Sequence, residues 1–146
     1  MLMKISLASD HAGFQLKESL KTYLQRQGHE VIDVGCNSEE RCDYPDYAQK
    51  AAKAVAAGKA ERGVLVCGSG IGMCMSANKI KGIRAAVLRI EDDAKLSREH
   101  NDANIACLGG RISKPAEAQK LLDIFLKTSF EGGRHITRLA KIEKFS

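Results

Sequence analysis

A cysteine followed by a glycine-rich segment is the first feature of this sequence that could support chemistry. Cys67 precedes Gly68-Ser69-Gly70-Ile71-Gly72, between an apolar run and a helical pattern. Glycines in this position let backbone amides approach an anion, and the N-terminus of a helix favours negative charge. The common nucleotide-binding patterns are incomplete, because position 73 is Met73 and no Gly-Lys-Ser/Thr follows. The segment therefore indicates an anion pocket without a nucleotide signature, or else a tight packing turn.

The thiol of Cys67 has two interpretations. A thiol at the start of a helix ionises more readily, and its thiolate can act as a base or a nucleophile. A free cysteine at the end of a strand is also commonly a small buried apolar residue. The adjoining anion pocket favours the reactive interpretation. Cys36, Cys42, Cys74 and Cys107 lack such a setting and are interpreted as structural or incidental.

Three further groups of polar side chains could bind a substrate or move its protons. Asp10 and His11 could hold a hydroxyl and an anionic group, or could be a helix cap beside a solvated histidine. His100 could transfer protons near neutral pH, or could be an ordinary surface histidine. Arg134 and Arg138, spaced i, i+4, would share one helical face. They could clamp a phosphate or form a solvated basic tail.

An alternation of short apolar runs and longer amphipathic runs must position these residues. Strands are predicted over residues 4–9, 29–35, 63–67, 83–89 and 103–110, and a loop over 36–46. Helices are predicted over residues 12–27, 47–57, 71–80, 91–101 and 115–129, with weaker helical patterning over 134–145. This order predicts an α/β fold, a three-layer αβα sandwich of the Rossmann-like type, with a five-stranded, mainly parallel sheet. The order of the strands cannot be inferred. Ligands bind such sheets beyond the carboxyl ends of the strands, where Asp10, Cys67 and Arg111 all lie.

Composition excludes several classes of protein. The 146 residues predict a single domain over 1–146, and no apolar run approaches the roughly 20 residues that span a membrane. The first residues predict a strand rather than a signal peptide. The net charge of +5 would suit nucleic acid, but aromatic residues are only 5% and none adjoins the paired arginines. Five cysteines without a C-x-x-C pair predict free thiols in a cytoplasmic protein, and the absence of ligand-like clusters predicts no metal site. We also expect no cofactor.

Taken together, these motifs resemble one family, ribose-5-phosphate isomerase B, within the wider ribose/galactose isomerase group. The resemblance runs in order from about residue 4 to about residue 143. It is carried by residues 9–14, 43–45, 66–72, 78–79, 82–85, 98–104, 109–111 and 131–135. Each motif alone is weak, but the whole set in this order is specific.

The resemblance implies an aldose–ketose isomerase of the pentose phosphate pathway. Such an enzyme interconverts D-ribose 5-phosphate and D-ribulose 5-phosphate through an enediolate, without a metal. Cys67 would move the proton between C1 and C2, and His100 would assist ring opening with Asp10 nearby. Ser69 and the amides of residues 68–72 would hold the enediolate oxygen, so the glycine segment would serve as an oxyanion hole rather than a phosphate site.

The same resemblance assigns the substrate-binding residues. Arg134 and Arg138 would bind the phosphate with His11 close by. The pocket would be completed by Tyr44, Asn101 and Arg111. Members of this family form homodimers or dimers of dimers, with the site at the subunit boundary. The resemblance implies that the partner chain supplies His100, Asn101 and Arg111.

Departures from the family pattern leave the base and the substrate open to more than one assignment. Some relatives use a glutamate from the helix after the loop, but residues 73–76 contain no Glu, so Cys67 is the expected base. Galactose 6-phosphate isomerase subunits lack either the cysteine or the Gly-Gly-Arg-His segment, and this chain has both. The motifs are also compatible with an allose 6-phosphate isomerase and with a non-catalytic phosphosugar-binding module.

Overall fold

A parallel sheet covered by helices on both faces forms the framework of the protein. The computed structural model describes residues 2–145. Its elements, in chain order, are β1 (Lys4–Ser9), α1 (Phe14–Arg26), β2 (Glu30–Asp33), α2 (Tyr44–Ala56), β3 (Arg62–Cys67), α3 (Ile71–Ala77), β4 (Ala85–Val87), α4 (Glu91–Glu99), β5 (Ile105–Gly109), α5 (Pro115–Lys127) and α6 (His135–Glu143). The strand order is β2-β1-β3-β5-β4, and all pairings are parallel. The predicted αβα sandwich is confirmed. Within residues 2–145, none of the helices has both the length and the apolar character needed to cross a membrane.

Side chains of the inner strands alternate between two apolar layers. On β3, Val64 and Val66 face one layer, whereas Leu65 and Cys67 face the other. Leucines of α1 and α5, with part of α4, cover the first face. Alanines of α2 together with Met73 of α3 cover the second face. Burial on both faces explains why β3 and β5 are nearly continuous apolar runs in the sequence.

Several element boundaries differ from the predicted ones. α2 begins at Tyr44, inside the segment 36–46 predicted as loop, because Pro45 occupies its first turn, where proline is tolerated. β2 and β4 are shorter than predicted and lie at the two edges of the sheet. Short edge strands leave few unpaired backbone groups to which another chain could pair.

Asn78 explains how the three-residue strand β4 is held at its edge. α3 ends at Ala77 rather than near residue 80, and Asn78 follows as its C-terminal cap. The Asn78 amide donates to the carbonyl of Ala85 at 3.0 Å, and its Oδ1 accepts the Ala85 N–H at 2.8 Å. The side chain therefore replaces a missing neighbouring strand at this position.

A buried ion pair joins α1 to the end of β2. Lys17 is fully buried, and its Nζ lies 2.9 and 2.8 Å from the two carboxylate oxygens of Asp33. The N–H of Gly35 donates to the same carboxylate at 2.9 Å. Burial opposes ionisation of Asp33, but the hydrogen bonds from Lys17 and Gly35 outweigh it and lower the pKa of Asp33. The pair thus fixes β2 beside β1 near the carboxyl edge of the sheet.

Replacement of Asp33 by asparagine is expected to destabilise the fold by about 3–5 kcal/mol near neutral pH, because the buried Lys17 ammonium then keeps only its 3.4 Å contact with the half-exposed Glu18 carboxylate. The folded-state pKa of Asp33 is lowered below its unfolded value of about 3.9. The stabilisation is therefore fully present above about pH 4 and is lost as the pH falls through the folded-state pKa. Urea unfolding between about pH 2 and pH 7 measures this difference.

The matched control is Glu30→Gln, which removes a carboxylate of the same strand. Glu30 is exposed and lies 4.0 Å from Lys4, so we expect a change within about 1 kcal/mol. Wild-type stability should fall more steeply below about pH 4 than that of Asp33→Asn. Equal pH dependence of the two proteins would contradict the role of the Lys17–Asp33 pair.

Candidate active site

The loops after β1, β3 and β5 meet at the carboxyl edge of the sheet with backbone packed on backbone. Gly70 has a φ of 82°, a left-handed conformation that glycine adopts readily. A Cβ added there would come 3.0 Å from the backbone of Leu108. A Cβ at Gly110 would come 2.7 Å from the carbonyl oxygen of Ala12. Glycine therefore lets the three loops approach more closely than side chains would allow.

Cys67 ends β3 with its thiol inside this group of loops. The residue is 4% exposed, and the Gly70 N–H donates to its Sγ at 3.1 Å. The Gly70 amide hydrogen is therefore directed at the sulfur from within the loop. Ser69 Oγ accepts the N–H of Ile71 at 3.2 Å, so its own O–H can donate elsewhere. The loop thus combines a sulfur that can act as a base with donors for an oxyanion.

Two large side chains lie over the glycine loop. A Cβ added at Gly68 would be 3.3 Å from Nη1 of Arg111, so the guanidinium lies beside the loop of its own chain. A Cβ at Gly72 would be 2.5 Å from the ring of Tyr44, which occupies that space. The early start of α2 is what brings Tyr44 to this position. The placement of Arg111 differs from the resemblance, which implies that the partner chain supplies this residue.

Asp10 and His11 border the same loops. Asp10 is buried, and its Oδ1 accepts the N–H of Gly13 at 3.0 Å, although α1 itself has no side-chain cap at its N-terminus. Its backbone N–H donates to the carbonyl of Val66 at 3.2 Å, so pairing of β1 with β3 brings Asp10 next to Cys67. His11 Nδ1 lies 3.2 Å from the carbonyl oxygen of Cys42, whose backbone orients the imidazole ring.

The other four cysteines are free thiols, and most are poorly suited to catalysis. Burial raises the pKa of Cys107 well above its ordinary value. Burial, followed by the neighbouring Cys36, raises the pKa of Cys42. A hydrogen bond with Cys107 lowers the pKa of Cys74, but the Cys74 sulfur lies 3.3 Å from the carbonyl of Ala85 rather than at the glycine loop.

The remaining predicted site residues lie at the opposite, amino edge of the sheet. His100 is the C-terminal cap of α4, and Asn101 follows it. Arg84, just before β4, donates from Nε to the carbonyl of Asn101 at 3.0 Å and forms an ion pair with the last residue of α6. Arg134 caps the N-terminus of α6, and Arg138 lies one turn further along. These contacts hold the end of α4 and α6 together.

His100 stacks on a histidine to which the sequence assigns no role. The ring centroids of His100 and His135 are 4.4 Å apart and the ring planes differ by 16°. His135 is 5% exposed. Burial, followed by the charges of Arg134 and His100, lowers its pKa. Arg138 acts in the same direction, so both arginines lie near the stacked rings.

The predicted site residues therefore form two groups within one chain. We define the Cys67 group as the residues at the carboxyl edge: Asp10, His11, Tyr44, Cys67, Gly68, Ser69, Gly70, Ile71, Gly72 and Arg111. The His100 group lies at the amino edge and contains His100, Asn101, Arg134 and Arg138. β5 has 5 residues and runs between the two edges, which it separates by about 15 Å at roughly 3.3 Å per residue.

Sequence reasoning missed Glu131, His135 and Arg84 as parts of the His100 group. Glu131 and His135 are spaced i, i+4, which is a weak signal for contact because two glycines stand between them. Arg84 is far from Asn101 in sequence, and only the parallel pairing of β4 with β5 brings them together. Long-range contacts of this kind leave no local pattern.

The comparisons with known proteins cover nearly the whole chain. The family model described as Ribose/Galactose Isomerase matches residues 5–142. Ribose-5-phosphate isomerase B of Escherichia coli is 44% identical over 141 residues, covering 97% of this chain and 95% of that protein. The structure of Clostridium thermocellum ribose-5-phosphate isomerase B superposes with a TM-score of 0.97 and 47% identity, covering 98% of this chain and 97% of that one.

A further solved structure contains a sugar phosphate. Ribose-5-phosphate isomerase B of Mycoplasma genitalium, with bound ribulose-5-phosphate, superposes with a TM-score of 0.92 and 42% identity. The match covers 97% of this chain and 95% of that chain. Identity at this level over the full length shows common family membership as well as common fold.

Proposed function

The chain belongs to the ribose/galactose isomerase family, and from this premise we propose that it interconverts D-ribose 5-phosphate and D-ribulose 5-phosphate. It is an aldose–ketose isomerase, and its reaction belongs to the pentose phosphate pathway. The observation that carries the proposal is the Cys67 thiol, 3.1 Å from the Gly70 amide in a glycine loop. The relatives described above are named for the pentose phosphate, which favours it over hexose phosphates and over a non-catalytic role.

In the proposed mechanism, Cys67 acts on the open-chain sugar as the proton-transfer group. Its thiolate removes the proton from C2 of the aldose, and the electron pair moves through C1–C2 so that the C1 carbonyl oxygen becomes an enediolate oxygen. The hydroxyl of Ser69 and the amides of residues 68–72 donate to that oxygen. Transfer of a proton between O2 and O1, and return of the proton from the thiol to C1, produce the ketose. A positioned base of this kind supplies about 10²–10⁴-fold acceleration.

Ring opening and phosphate binding are assigned to the other residues. His100 would move the proton needed to open the furanose ring, with Asp10 binding a sugar hydroxyl. Arg134 and Arg138 would bind the phosphate dianion, which arginine pairs recognise well. The guanidinium charges of Arg134 and Arg138 also favour the neutral form of His135, so the ring stacked on His100 carries no additional positive charge.

Two copies of the chain are needed to complete this site. Six bonds of about 1.5 Å join C1 of the sugar to phosphorus, so the substrate spans at most about 9 Å. The Cys67 group and the His100 group of one chain are separated by about 15 Å of sheet. We therefore propose a homodimer or a dimer of dimers in which the Cys67 group of one protomer faces the His100 group of its partner. In this arrangement Arg134 and Arg138 come with His100, and Arg111 comes with Cys67.

Exposed apolar side chains support an interface beside both groups. Ile71 and Met75 of α3, next to the glycine loop, are 43% and 67% exposed. Ile142 in the last turn of α6 and Phe145 just after that helix are 47% and 89% exposed. Large exposed apolar side chains gathered near functional residues are typical of protein interfaces. A second copy that covers them would bring the two groups together.

We also propose a cytoplasmic location. All five cysteines are free thiols, and free thiols are typical of reducing compartments. The substrate class supports the same location, because pentose phosphates are intermediates of central metabolism.

Replacement of Arg134 by alanine is expected to raise KM for ribose 5-phosphate about 10–100-fold, because each hydrogen bond to a charged group contributes about 1.5–3 kcal/mol. We expect a smaller effect on kcat, since the phosphate is distant from C1 and C2. Steady-state kinetics measure both constants. Lys141→Ala, on the same helix and also exposed, is the charge-matched control and should leave KM nearly unchanged. An unchanged KM in Arg134→Ala would remove Arg134 from the phosphate site.

The direct test of function is formation of ribulose 5-phosphate from ribose 5-phosphate in excess EDTA, with allose 6-phosphate assayed in parallel. We expect turnover of the pentose at an undiminished rate in EDTA. Turnover of the hexose alone would keep the chemistry and change the assigned substrate. A folded protein that binds ribose 5-phosphate without converting it would support a phosphosugar-binding module instead.

A further inference from the structure

His100, Glu131 and His135 form a cluster of side chains that could bind a metal ion, and the proposed reaction gives a proton-transfer role to His100 alone among them. One ligating atom from each residue lies within 4.8 Å of the other two. Within residues 2–145, no other group of three or more His, Cys, Asp or Glu side chains has a geometry that could hold a metal ion. The sequence predicts no metal site, because these ligands come from two segments separated along the chain.

The backbone holds the three ligands in place. The N–H of Glu131 donates to the carbonyl of Glu99 at 3.0 Å, which fixes the start of the Glu131–His135 turn against the end of α4. Gly132 and Gly133 have φ values of 72° and 58°, so the chain reverses and His135 begins α6. His100 caps α4 directly after Glu99 and stacks on the His135 ring. The ends of two helices therefore hold the backbones of the three ligand residues close together.

The Nε2 atom of His135 is the observation that points to a ligand. It is buried and makes no hydrogen bond, although a buried imidazole nitrogen ordinarily finds a partner. Oε2 of Glu131 lies 3.5 Å from this nitrogen. Two ligands bound tetrahedrally to zinc at about 2.0–2.1 Å lie about 3.4 Å apart. The Glu131–His135 separation therefore matches one edge of such a site, and the His100 ring would complete it by turning out of its stack on His135.

We propose that His100, Glu131 and His135 bind a divalent transition-metal ion of the Zn²⁺ type, and that the bound ion inhibits the isomerase. Imidazole and carboxylate ligands suit Zn²⁺ and Co²⁺, whereas Mg²⁺ and Ca²⁺ prefer sites made of oxygen ligands. Arg134 and Arg138 oppose binding of any cation here, so coordination by the imidazole nitrogens has to supply the affinity. The inhibition rests on the role proposed for His100 in ring opening, because a metal-bound imidazole cannot transfer a proton. Metal binding itself does not depend on that role.

Titration with Co²⁺ tests the metal site independently of activity. Co²⁺ bound to nitrogen and oxygen ligands gives visible absorption bands, whereas Co²⁺ bound to a thiolate adds a strong near-ultraviolet band. We expect visible bands without the thiolate band in the wild-type protein. Glu131→Gln should weaken binding of Co²⁺ and of Zn²⁺ by more than about tenfold, because loss of even an indirect partner of a metal ligand costs about 10–100-fold. Glu131 is half-exposed, so this variant is expected to fold normally.

Glu99→Gln is the matched control for Glu131→Gln. It removes the same charge next to His100, from a side chain that pairs with Lys95 and belongs to no metal-ligating cluster in the part of the chain described. We expect Zn²⁺ affinity within about threefold of wild type in this variant, since the Glu99 carboxylate already pairs with Lys95 and lies outside the proposed set of ligands. Equal weakening by the two variants would show general attraction by negative charge and would overturn the site.

Inhibition by Zn²⁺ provides the second measurement. The Zn²⁺ concentration that halves ribose 5-phosphate turnover should rise by more than about tenfold in Glu131→Gln and should stay near the wild-type value in Glu99→Gln. Inhibition that is unchanged in Glu131→Gln, accompanied by a thiolate band in the Co²⁺ spectrum, would assign the metal to Cys67 and overturn the proposal. Co²⁺ bands lost in Glu131→Gln, from a protein without isomerase activity, would keep the metal site and reject the proposed function instead.

Discussion

Cys67→Ala is expected to reduce kcat for ribose 5-phosphate by about 10²–10⁴-fold, because a positioned general base contributes acceleration of that size. The loss should appear in kcat rather than in KM, since the thiol acts on C2 and C1 and the phosphate is bound elsewhere. The fold should survive, because the change removes a single buried sulfur atom and a typical substitution costs about 1 kcal/mol. Initial rates of ketose formation and thermal unfolding together measure the effect.

Cys74→Ala is the control for this variant. Cys74 also follows β3 and is partly buried, but its sulfur contacts the carbonyl of Ala85 instead of the glycine loop. We expect activity within about threefold of wild type, since no proton transfer depends on this thiol. Full activity in Cys67→Ala would remove the base assigned here. Loss of activity only in Cys74→Ala would move the base to α3.

A mixture of two inactive variants is expected to regain about a quarter of wild-type activity if two protomers share each site. Cys67→Ala has a defect in the Cys67 group, and His100→Gln has a defect in the His100 group. Random exchange of subunits in an equal mixture makes about half of the dimers mixed, and each mixed dimer contains one intact site of two. Each variant alone is expected to keep at most about 1% of wild-type activity, because a missing acid or base costs at least about 100-fold. Recovery to a quarter of wild-type activity is therefore a gain of about 25-fold or more.

The control mixture combines Cys67→Ala with Asp10→Asn. Both residues belong to the Cys67 group, so a mixed dimer contains one damaged copy of that group at each site and no activity should return. Unfolding the variants together and refolding them ensures exchange, and mass measurement of tagged subunits shows that mixed dimers have formed. Recovery in the control mixture, or none in the test mixture despite exchange, would contradict a site built from two protomers.

The glycine loop was predictable because its signals are local. Cys67 stands between a continuous apolar run and a helical pattern, and Gly68-Ser69-Gly70-Ile71-Gly72 follows it directly. Strand and helix periodicity depends on neighbouring residues, so the alternation of elements was predictable to within a few residues at most boundaries. The start of α2 was misplaced because Pro45 was interpreted within a polar loop, whereas the chain uses it in the first helical turn.

The sequence by itself determined the alternating elements, the glycine loop with Cys67 at the end of β3, and the family through the ordered set of motifs. Only the tertiary structure decided the strand order β2-β1-β3-β5-β4, and with it the position of Tyr44 and Arg111 over the loop. It also separated His100, Arg134 and Arg138 from Cys67 and stacked His135 on His100. The physical reason is that these contacts join distant segments. Their geometry depends on which apolar faces pack across the sheet, and periodicity within a segment carries no information about that choice.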